Sequence, residues 1–372
     1  MRPRHLVMAS VIVGACRSYG TDEAPPADGG VPDSGVAPDG SSDVTPEGDG
    51  GSGCTADCPA VEIGSITTSE LVYALAVDAT HVYWMSAEPS QDGDSLGNNG
   101  HLYACPKTGC PTSGPISLVG DGQTPGTLAG NGTRAYASFV FGFRKLLALK
   151  SGTTEMLPVT APLAVSRFAV GESNLHYLAL YTGVDSGSPF NSETLLWNGS
   201  AQTSIGTYAG TANVTDFTVV GNQQFLGSYA SLFACDVPCT SAWGTLSTSI
   251  TGLASLTTDG TSLFLRIREQ HQVVRSPTTA FAPTELIGPG ALGNADPLDV
   301  YATKGAVYVS TTNGDLFSCS PTSCPPKPLV HDANLGAMPS ANFGTTIGVD
   351  DQAVYYVGLT SGSTWHIMRV AK

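Results

Sequence analysis

The chain has 372 residues and a formal net charge of −15, with 13% charged residues and 44 glycines. Such an acidic chain repels phosphate groups, which argues against nucleic acid and anionic headgroups as partners of its folded part. Because no long helical pattern of apolar residues is present, the sequence predicts an all-β protein.

The first sixteen residues have the order of an export signal. Arg2 and Arg4 form a basic start, and the apolar run LVMASVIVGA at residues 6–15 is too short to span a bilayer. The run ends in V-G-A and is followed by Cys16. The features together predict a segment that directs export.

The motif V-G-A-Cys16 resembles the lipobox of bacterial lipoproteins, with an aliphatic residue, two small residues and a cysteine. The resemblance implies that residues 1–15 are a signal peptide and that Cys16 is acylated. Arg17, in place of Asp, implies the outer membrane by the enteric sorting rule. We therefore expect a lipid-anchored protein of the cell envelope. The alternative is an ordinary secretory signal followed by a chance cysteine.

Residues 16–53 consist mainly of Asp, Gly, Pro and Ser and contain eight acidic residues. A segment with so few apolar groups cannot repay the entropy of folding. We predict a disordered tether with a root-mean-square reach of about 35 Å. The folded domain then occupies residues 54–372.

Eight further cysteines fall into four close pairs, which in an exported protein indicate local disulfide bonds. The alternative is zinc, although zinc sites usually bring together pairs with a shorter spacing. The pairs are Cys54 and Cys58, Cys105 and Cys110, Cys235 and Cys239, and Cys319 and Cys324.

One unit recurs seven times at a spacing of about 45 residues, a period typical of propellers. Each unit has an apolar run, an Asp-, Asn- or Gly-containing turn, an aromatic-rich strand such as VYWMS or AVYYVG, and in most units two further strands. The units resemble those of bacterial propeller lipoproteins with a D-x-x-x-V-Y repeat. We predict a seven-bladed β-propeller of four-stranded blades.

The last unit ends after its third strand, and its missing strand is predicted at the N-terminus. The cysteine pair that follows the third strand in three blades also precedes an isolated strand at residues 61–66. This strand is expected to complete blade seven and to close the ring, which removes an exposed seam.

Two blades are lengthened between their second and third strands, at residues 87–100 and 182–193. In a propeller these loops share a face with the blade-to-blade connections, so we expect binding there. Within the first insertion, Asp92, Asp94 and Asn98 partly resemble a calcium loop, although the later ligand positions do not match. The alternative is a flexible polar loop.

Arg266 and Arg268 lie two residues apart on the predicted second strand of blade five, near His271. Alternation would place both guanidinium groups on one face, where they could grip a carboxylate. The alternative is pairing with acids of neighbouring blades.

The sequence favours a scaffold that binds a protein, peptide or glycan. It contains no G-x-S-x-G or H-E-x-x-H motif, and it predicts no resident cofactor. The alternative is an extracytoplasmic enzyme, such as a polysaccharide lyase, a hydrolase or a quinone-dependent dehydrogenase. That alternative requires ionisable groups that converge at the central channel.

Overall fold

The computed structural model describes residues 56–89, 96–120, 125–139, 145–159, 164–181, 190–210, 214–239, 243–293, 295–325, 327–331, 345–360 and 364–372. These residues form seven antiparallel sheets in chain order, apart from the first strand. That strand is β1 (Ala60–Thr67). The blades are: blade 1, β2 (Leu71–Val77), β3 (His81–Pro89), β4 (Leu96–Pro106), β5 (Ile116–Val119); blade 2, β6 (Pro125–Gly130), β7 (Ala135–Phe139), β8 (Lys145–Lys150), β9 (Thr153–Met156); blade 3, β10 (Ala164–Val170), β11 (Leu175–Tyr181), β12 (Phe190–Trp197), β13 (Gln202–Gly210); blade 4, β14 (Val214–Val220), β15 (Gln223–Ser228), β16 (Leu232–Asp236), β17 (Gly244–Ser247); blade 5, β18 (Leu253–Thr258), β19 (Ser262–Ile267), β20 (Gln272–Pro277), β21 (Thr284–Ile287); blade 6, β22 (Pro297–Thr303), β23 (Ala306–Thr311), β24 (Leu316–Cys319); blade 7, β25 (Ile347–Val349), β26 (Ala353–Thr360), β27 (Thr364–Ala371).

The blades form a ring. The first strand of each blade contacts the first strand of the next blade, and β25 of blade 7 contacts β2 of blade 1. Apolar side chains from facing sheets fill the spaces between blades, for example around Phe168 and Phe217. The predicted seven-bladed propeller is confirmed.

The N-terminal strand closes this ring as predicted. β1 pairs with β27 in antiparallel register, with Val61 opposite Arg369 and Thr67 opposite Thr364, and it is the outermost strand of blade 7. Just before β1, the amide of Cys58 donates to Leu329 O at 2.7 Å, which ties the same segment to blade 6. Blade 7 is therefore built from both ends of the folded domain.

Blade 6 is narrower than the repeat predicts. Among the residues that the structure describes, its sheet has three strands, and the expected fourth strand KPLV contributes an isolated bridge between Val330 and Leu316. Pro328 lies within this segment and Pro325 precedes it, and proline has no amide to donate to a ladder. The segment occupies the place of the fourth strand without its full hydrogen bonding.

Three of the predicted cysteine pairs are disulfide-bonded in the structure: Cys105–Cys110, Cys235–Cys239 and Cys319–Cys324. Each follows the third strand of its blade, and the paired Cα atoms lie 4.2 to 5.6 Å apart. Cys58 is also disulfide-bonded. Its predicted partner Cys54 lies outside the described residues, as do Cys16, the signal segment and the tether.

Hydrogen bonds cross all seven junctions between blades. In six blades the register of the first strand against the second shifts at one place, which redirects the side chain that follows. The bonds that cross the junctions are Val77 O to Gly132 N (3.1 Å), Ser138 Oγ to Val165 O (3.2 Å), Arg167 Nε to Thr215 O (2.7 Å), Leu256 N to Asp216 Oδ2 (2.6 Å), Arg266 Nε to Pro297 O (2.7 Å), Thr346 N to Asp299 Oδ2 (2.9 Å) and Leu75 N to Thr345 O (2.7 Å).

The D-x-x-x-V-Y motif acts as a clasp between blades 1 and 2. Asp78 Oδ2 accepts from the Tyr83 hydroxyl at 2.6 Å and from the Ser151 amide at 3.0 Å. The same hydroxyl accepts from the Gly152 amide at 3.0 Å. Burial alone would raise the pKa of Asp78, but these and the turn hydrogen bonds outweigh it and lower the pKa.

The second copy of the motif makes an equivalent clasp where the ring closes. Asp350 Oδ2 accepts from the Tyr355 hydroxyl at 3.0 Å and lies 2.6 Å from Lys107 Nζ, in blade 1. The motif therefore joins blade 7 to blade 1 and blade 1 to blade 2.

The channel narrows at one end. Tyr301 Oη of blade 6 donates to Gly130 O of blade 2 at 3.2 Å, although blades 7 and 1 lie between them along the ring. The Tyr301 side chain thus crosses the space on the axis.

Candidate functional site

Antiparallel strands alternate in direction, so the propeller has two distinct faces. We define the loop face as the face with the second-to-third-strand loops and the blade-to-blade connections. The turn face carries the other turns, including the three disulfide-bonded turns. The disulfide-bonded turns therefore lie opposite the predicted binding face.

Much of the predicted binding face lies outside the described residues. This includes residues 90–95 of the first insertion, with Asp92 and Asp94, and residues 182–189 of the second. Asn98 lies on strand β4. The calcium loop stays a prediction, and within the described ranges no cluster of three metal-ligating side chains is found.

The predicted arginine pair does not share one strand face. Arg266 lies on β19 and is 4% exposed, and its guanidinium donates to Pro297 O of blade 6. Arg268 instead begins a short 3-10 helix, Arg268–Gln270, and is exposed on the loop face. The shared face was wrong because the strand ends at Ile267. Arg266 therefore joins blade 5 to blade 6 inside the ring, and Arg268 remains on the surface.

Three loops meet beside Arg268. The carbonyl of Tyr229, in the blade 4 loop, accepts from the amides of Gly252 and Leu253 at 2.9 and 3.1 Å. The Arg268 amide donates to Gly252 O at 2.8 Å, and the Tyr229 hydroxyl donates to the Glu269 carboxylate. The hydrogen bond to Glu269 raises the pKa of the Tyr229 hydroxyl. The tyrosine is 47% exposed yet held at both its carbonyl and its hydroxyl.

Gly252 is required at the centre of this arrangement. Its φ is +86°, and a Cβ atom there would lie 2.9 Å from the backbone nitrogen of Glu269. The close packing of these loops therefore depends on the absence of a side chain.

The same corner extends to blade 6. His271 Nδ1 lies 2.7 Å from Asp296 Oδ1, with the side chains 55% and 48% exposed. The backbone of Asp296 exchanges two 2.9 Å hydrogen bonds with Thr312 of blade 6. We call Tyr229, Gly252, residues 268–271 and Asp296 the blade 5 corner. It contains two of the predicted binding residues, Arg268 and His271.

A second cluster lies where blade 7 meets blade 1. Glu70 accepts a hydrogen bond from the Ser86 hydroxyl, His101 Nδ1 lies 2.8 Å from Glu70 Oε1, and Trp365 Nε1 donates to Glu70 O at 2.7 Å. Ser86 is fully buried and bonds the carboxylate instead of the imidazole. The cluster joins two blades and does not present an activated nucleophile.

Four buried ionisable groups among the described residues also join neighbouring blades. Arg167, Asp216, Arg266 and Asp299 are at most 4% exposed, and each bonds the backbone of the next blade. The sequence alone did not indicate Tyr229 or Asp296 as site residues. The available signal for the first was a tyrosine in the stretch S-Y-A-S, where the second strand of blade four meets the third.

No protein-family model matches the chain, and no curated protein sequence matches it. Several solved structures are similar. "YCF48 bound to D1 peptide" is 13% identical with a TM-score of 0.55, over 86% of this chain and 98% of that chain. YCF48 from Cyanidioschyzon merolae is 10% identical with a TM-score of 0.54, over 84% and 98%. Saccharomyces cerevisiae Sqt1 is 9% identical with a TM-score of 0.52, over 86% and 100%. Such identities show the propeller fold alone.

Proposed function

We propose that the protein is a lipid-anchored envelope scaffold whose loop face binds a protein or peptide partner. The observation that carries the proposal is the blade 5 corner, where Tyr229 is exposed on a support of three loops. Tyrosine is enriched among residues that dominate binding energy, and a side chain that is already held loses little entropy on binding.

Two further features support the proposal. The similar structure of YCF48 is bound to a D1 peptide. Residues 16–53 would give the propeller reach from an anchor at Cys16. In the described part of the chain, no helix has the length and apolar character needed to cross a bilayer.

Site-specific crosslinking tests the partner. A photoreactive amino acid replaces Tyr229 in the full-length protein in its native envelope, and a matched control replaces Met156, which is 64% exposed on β9. We expect a crosslinked product of defined mass from position 229 and not from position 156. A pure glycan adduct, equal products from both positions, or no product from either would contradict the proposal.

Affinity then tests the role of the tyrosine. Once the partner is identified, Tyr229→Ala is expected to weaken binding by about 30-fold, the effect of losing a dominant contact. Met156→Ala is expected to leave binding unchanged.

The anchor is tested separately. Growth with a labelled fatty acid should label the wild-type protein, and Cys16→Ala should abolish the label and release the protein from membranes. Persistent membrane attachment of Cys16→Ala would exclude acylation as the anchor.

A further inference from the structure

The chain contains four Asn-Gly dipeptides. At such a dipeptide the asparagine side chain can cyclise on the next backbone nitrogen, because glycine has no side chain to hinder the approach. In three of the four the glycine is buried: Gly100, Gly132 and Gly314. The fourth differs, since Asn198 and Gly199 are both exposed in the turn between β12 and β13 of blade 3, on the turn face.

The turn surrounds the side-chain oxygen of Asn198 with hydrogen-bond donors. Oδ1 accepts from the amides of Ser200 and Ala201 at 3.0 and 2.9 Å, and from the Ser200 hydroxyl at 3.1 Å. Attack on the amide carbon places negative charge on this oxygen. Donors that already point at it stabilise that charge without further rearrangement.

The two nitrogens that take part in cyclisation are not held. Among the described residues, no hydrogen bond is found from the Gly199 amide or from Asn198 Nδ2. A Cβ atom on Gly199 would meet no other atom within 4 Å, so the surroundings leave room for the backbone to move. The nucleophile and the leaving group are therefore both available.

Asn131 in blade 2 provides an internal comparison, because its turn has the same local form. Its Oδ1 accepts from the amides of Thr133 and Arg134 at 3.0 and 2.9 Å and from the Thr133 hydroxyl at 2.8 Å. The φ of Gly132 is +86° and that of Gly199 is +93°. The two turns therefore bind the asparagine oxygen alike.

The tertiary contacts of the two turns differ. The Gly132 amide donates to Val77 O of blade 1 at 3.1 Å, and Asn131 Nδ2 donates to Gly171 O of blade 3 at 3.1 Å. A Cβ atom on Gly132 would lie 2.9 Å from Val349 O. Nucleophile and leaving group are thus both held by neighbouring blades, and the backbone has no room to move.

We propose that Asn198 is a self-modification site at which the side-chain amide is converted to a carboxylate. The Gly199 nitrogen forms a bond to Asn198 Cγ, the bond between Cγ and Nδ2 breaks, and the glycine amide proton leaves with the ammonia. Water then opens the cyclic imide at either carbonyl, which gives aspartate or isoaspartate. The reaction needs only water and adds a negative charge to the turn face. It goes beyond the proposed scaffold function and does not depend on it.

Ageing of the intact protein tests the proposal. The folded protein is kept in mildly alkaline buffer made with heavy-oxygen water, and each Asn-Gly peptide is followed by mass spectrometry. The Asn198 peptide should lose its amide nitrogen, gain one heavy oxygen and separate into aspartate and isoaspartate forms. Asn131 should convert about 30-fold more slowly, because two hydrogen bonds must first be broken.

Two controls separate the effect of the fold from that of the dipeptide. In concentrated urea the contacts between blades are lost, so both asparagines should convert at rates within about threefold of each other. In the folded protein, Ser200→Ala removes one donor to Oδ1 and should slow conversion of Asn198 about fivefold. The same variant should leave the rate at Asn131 unchanged.

The proposal is overturned if Asn198 stays intact in the folded protein while the urea-unfolded chain converts, or if folded Asn131 converts as fast as Asn198. An unchanged rate in Ser200→Ala would overturn the role of the turn in stabilising the oxygen. Crosslinking at position 229, on the opposite face, should be equal for fresh and aged protein. Failure here is therefore distinguishable from failure of the scaffold function.

Discussion

The clasp between blades 1 and 2 can be divided into two parts by substitution of Asp78. Its Oδ1 atom accepts from the amides of Thr80 and His81, both at 2.7 Å, and so holds the turn. Its Oδ2 atom accepts from Tyr83 and Ser151 and so holds the next blade. Asp78→Asn keeps the first acceptor and replaces the second with a donor.

The expected losses follow from these contacts. Asp78 is 3% exposed and Tyr83 is fully buried, so lost hydrogen bonds to the carboxylate are not replaced by water. At roughly 1.5–3 kcal/mol for a hydrogen bond to a charged group, Asp78→Asn should cost about 3 kcal/mol. Asp78→Ala should cost about 1–2 kcal/mol more, because the turn is more exposed. Tyr83→Phe should cost about 1–2 kcal/mol.

Urea unfolding of the four proteins measures these values from the midpoints, provided that the slope of each transition is unchanged. Asp78→Asn and Tyr83→Phe together should cost about 1 kcal/mol less than their sum, because both remove one shared bond. A strictly additive pair, or an Asp78→Asn protein as stable as the wild type, would refute the clasp. The pKa of Asp78 is lowered, so its contribution persists above pH 3.8 and disappears as the pH falls through that lowered value.

Three further predictions concern stability. On β1 the side chain of Ile63 is 6% exposed and that of Val61 is 62% exposed. Ile63→Asp should therefore destabilise the protein by about 3 kcal/mol or prevent closure of the ring, whereas Val61→Asp should change the stability by less than about 0.5 kcal/mol. Melting followed by circular dichroism compares the two variants. Burial lowers the pKa of His176 to about 4, so the contribution of the neutral histidine to stability is complete above pH 6.5, and about 3 kcal/mol should be lost as the pH falls from there through 4. His176→Leu should flatten this loss in urea titrations at pH 7 and pH 4. An unchanged pH profile of the variant would contradict the prediction. Cys105→Ser with Cys110→Ser should cost about 2 kcal/mol, since the closed loop is short, and a cost above about 5 kcal/mol would show that the bond does more than restrict the unfolded chain.

Repetition made the ring predictable. Seven local patterns, each readable from alternation and turn residues, were enough to count the blades, and the cysteine pair before residues 61–66 indicated where β1 belongs. The disulfide-bonded turns were equally local, because the paired cysteines are four or five residues apart. Where the pattern weakened, at the prolines beside Val330, the predicted strand was reduced to a bridge.

The corner was not predictable because its contacts join distant parts of the chain. Tyr229 and Glu269 are 40 residues apart, and alternation says nothing about where a strand stops. The two arginines illustrate this point. One residue beyond Ile267 the backbone turns into a 3-10 helix, so Arg266 lies between two blades and Arg268 lies on the surface. The clasp residues appeared in a motif, but their partners in the next blade did not.

The arrangement of β1 has a mechanical consequence. Any tension applied through residues preceding Ala56 first reaches the amides of Asp57 and Cys58, bonded to Pro328 O and Leu329 O, and then the turn-face end of β1. A load along this strand is shared by all of its backbone hydrogen bonds with β27, so these bonds do not break one by one. The strand that closes the ring is thus also the point where force enters the domain. The unfolding rate under load would be set by how strongly β1 resists sliding along β27.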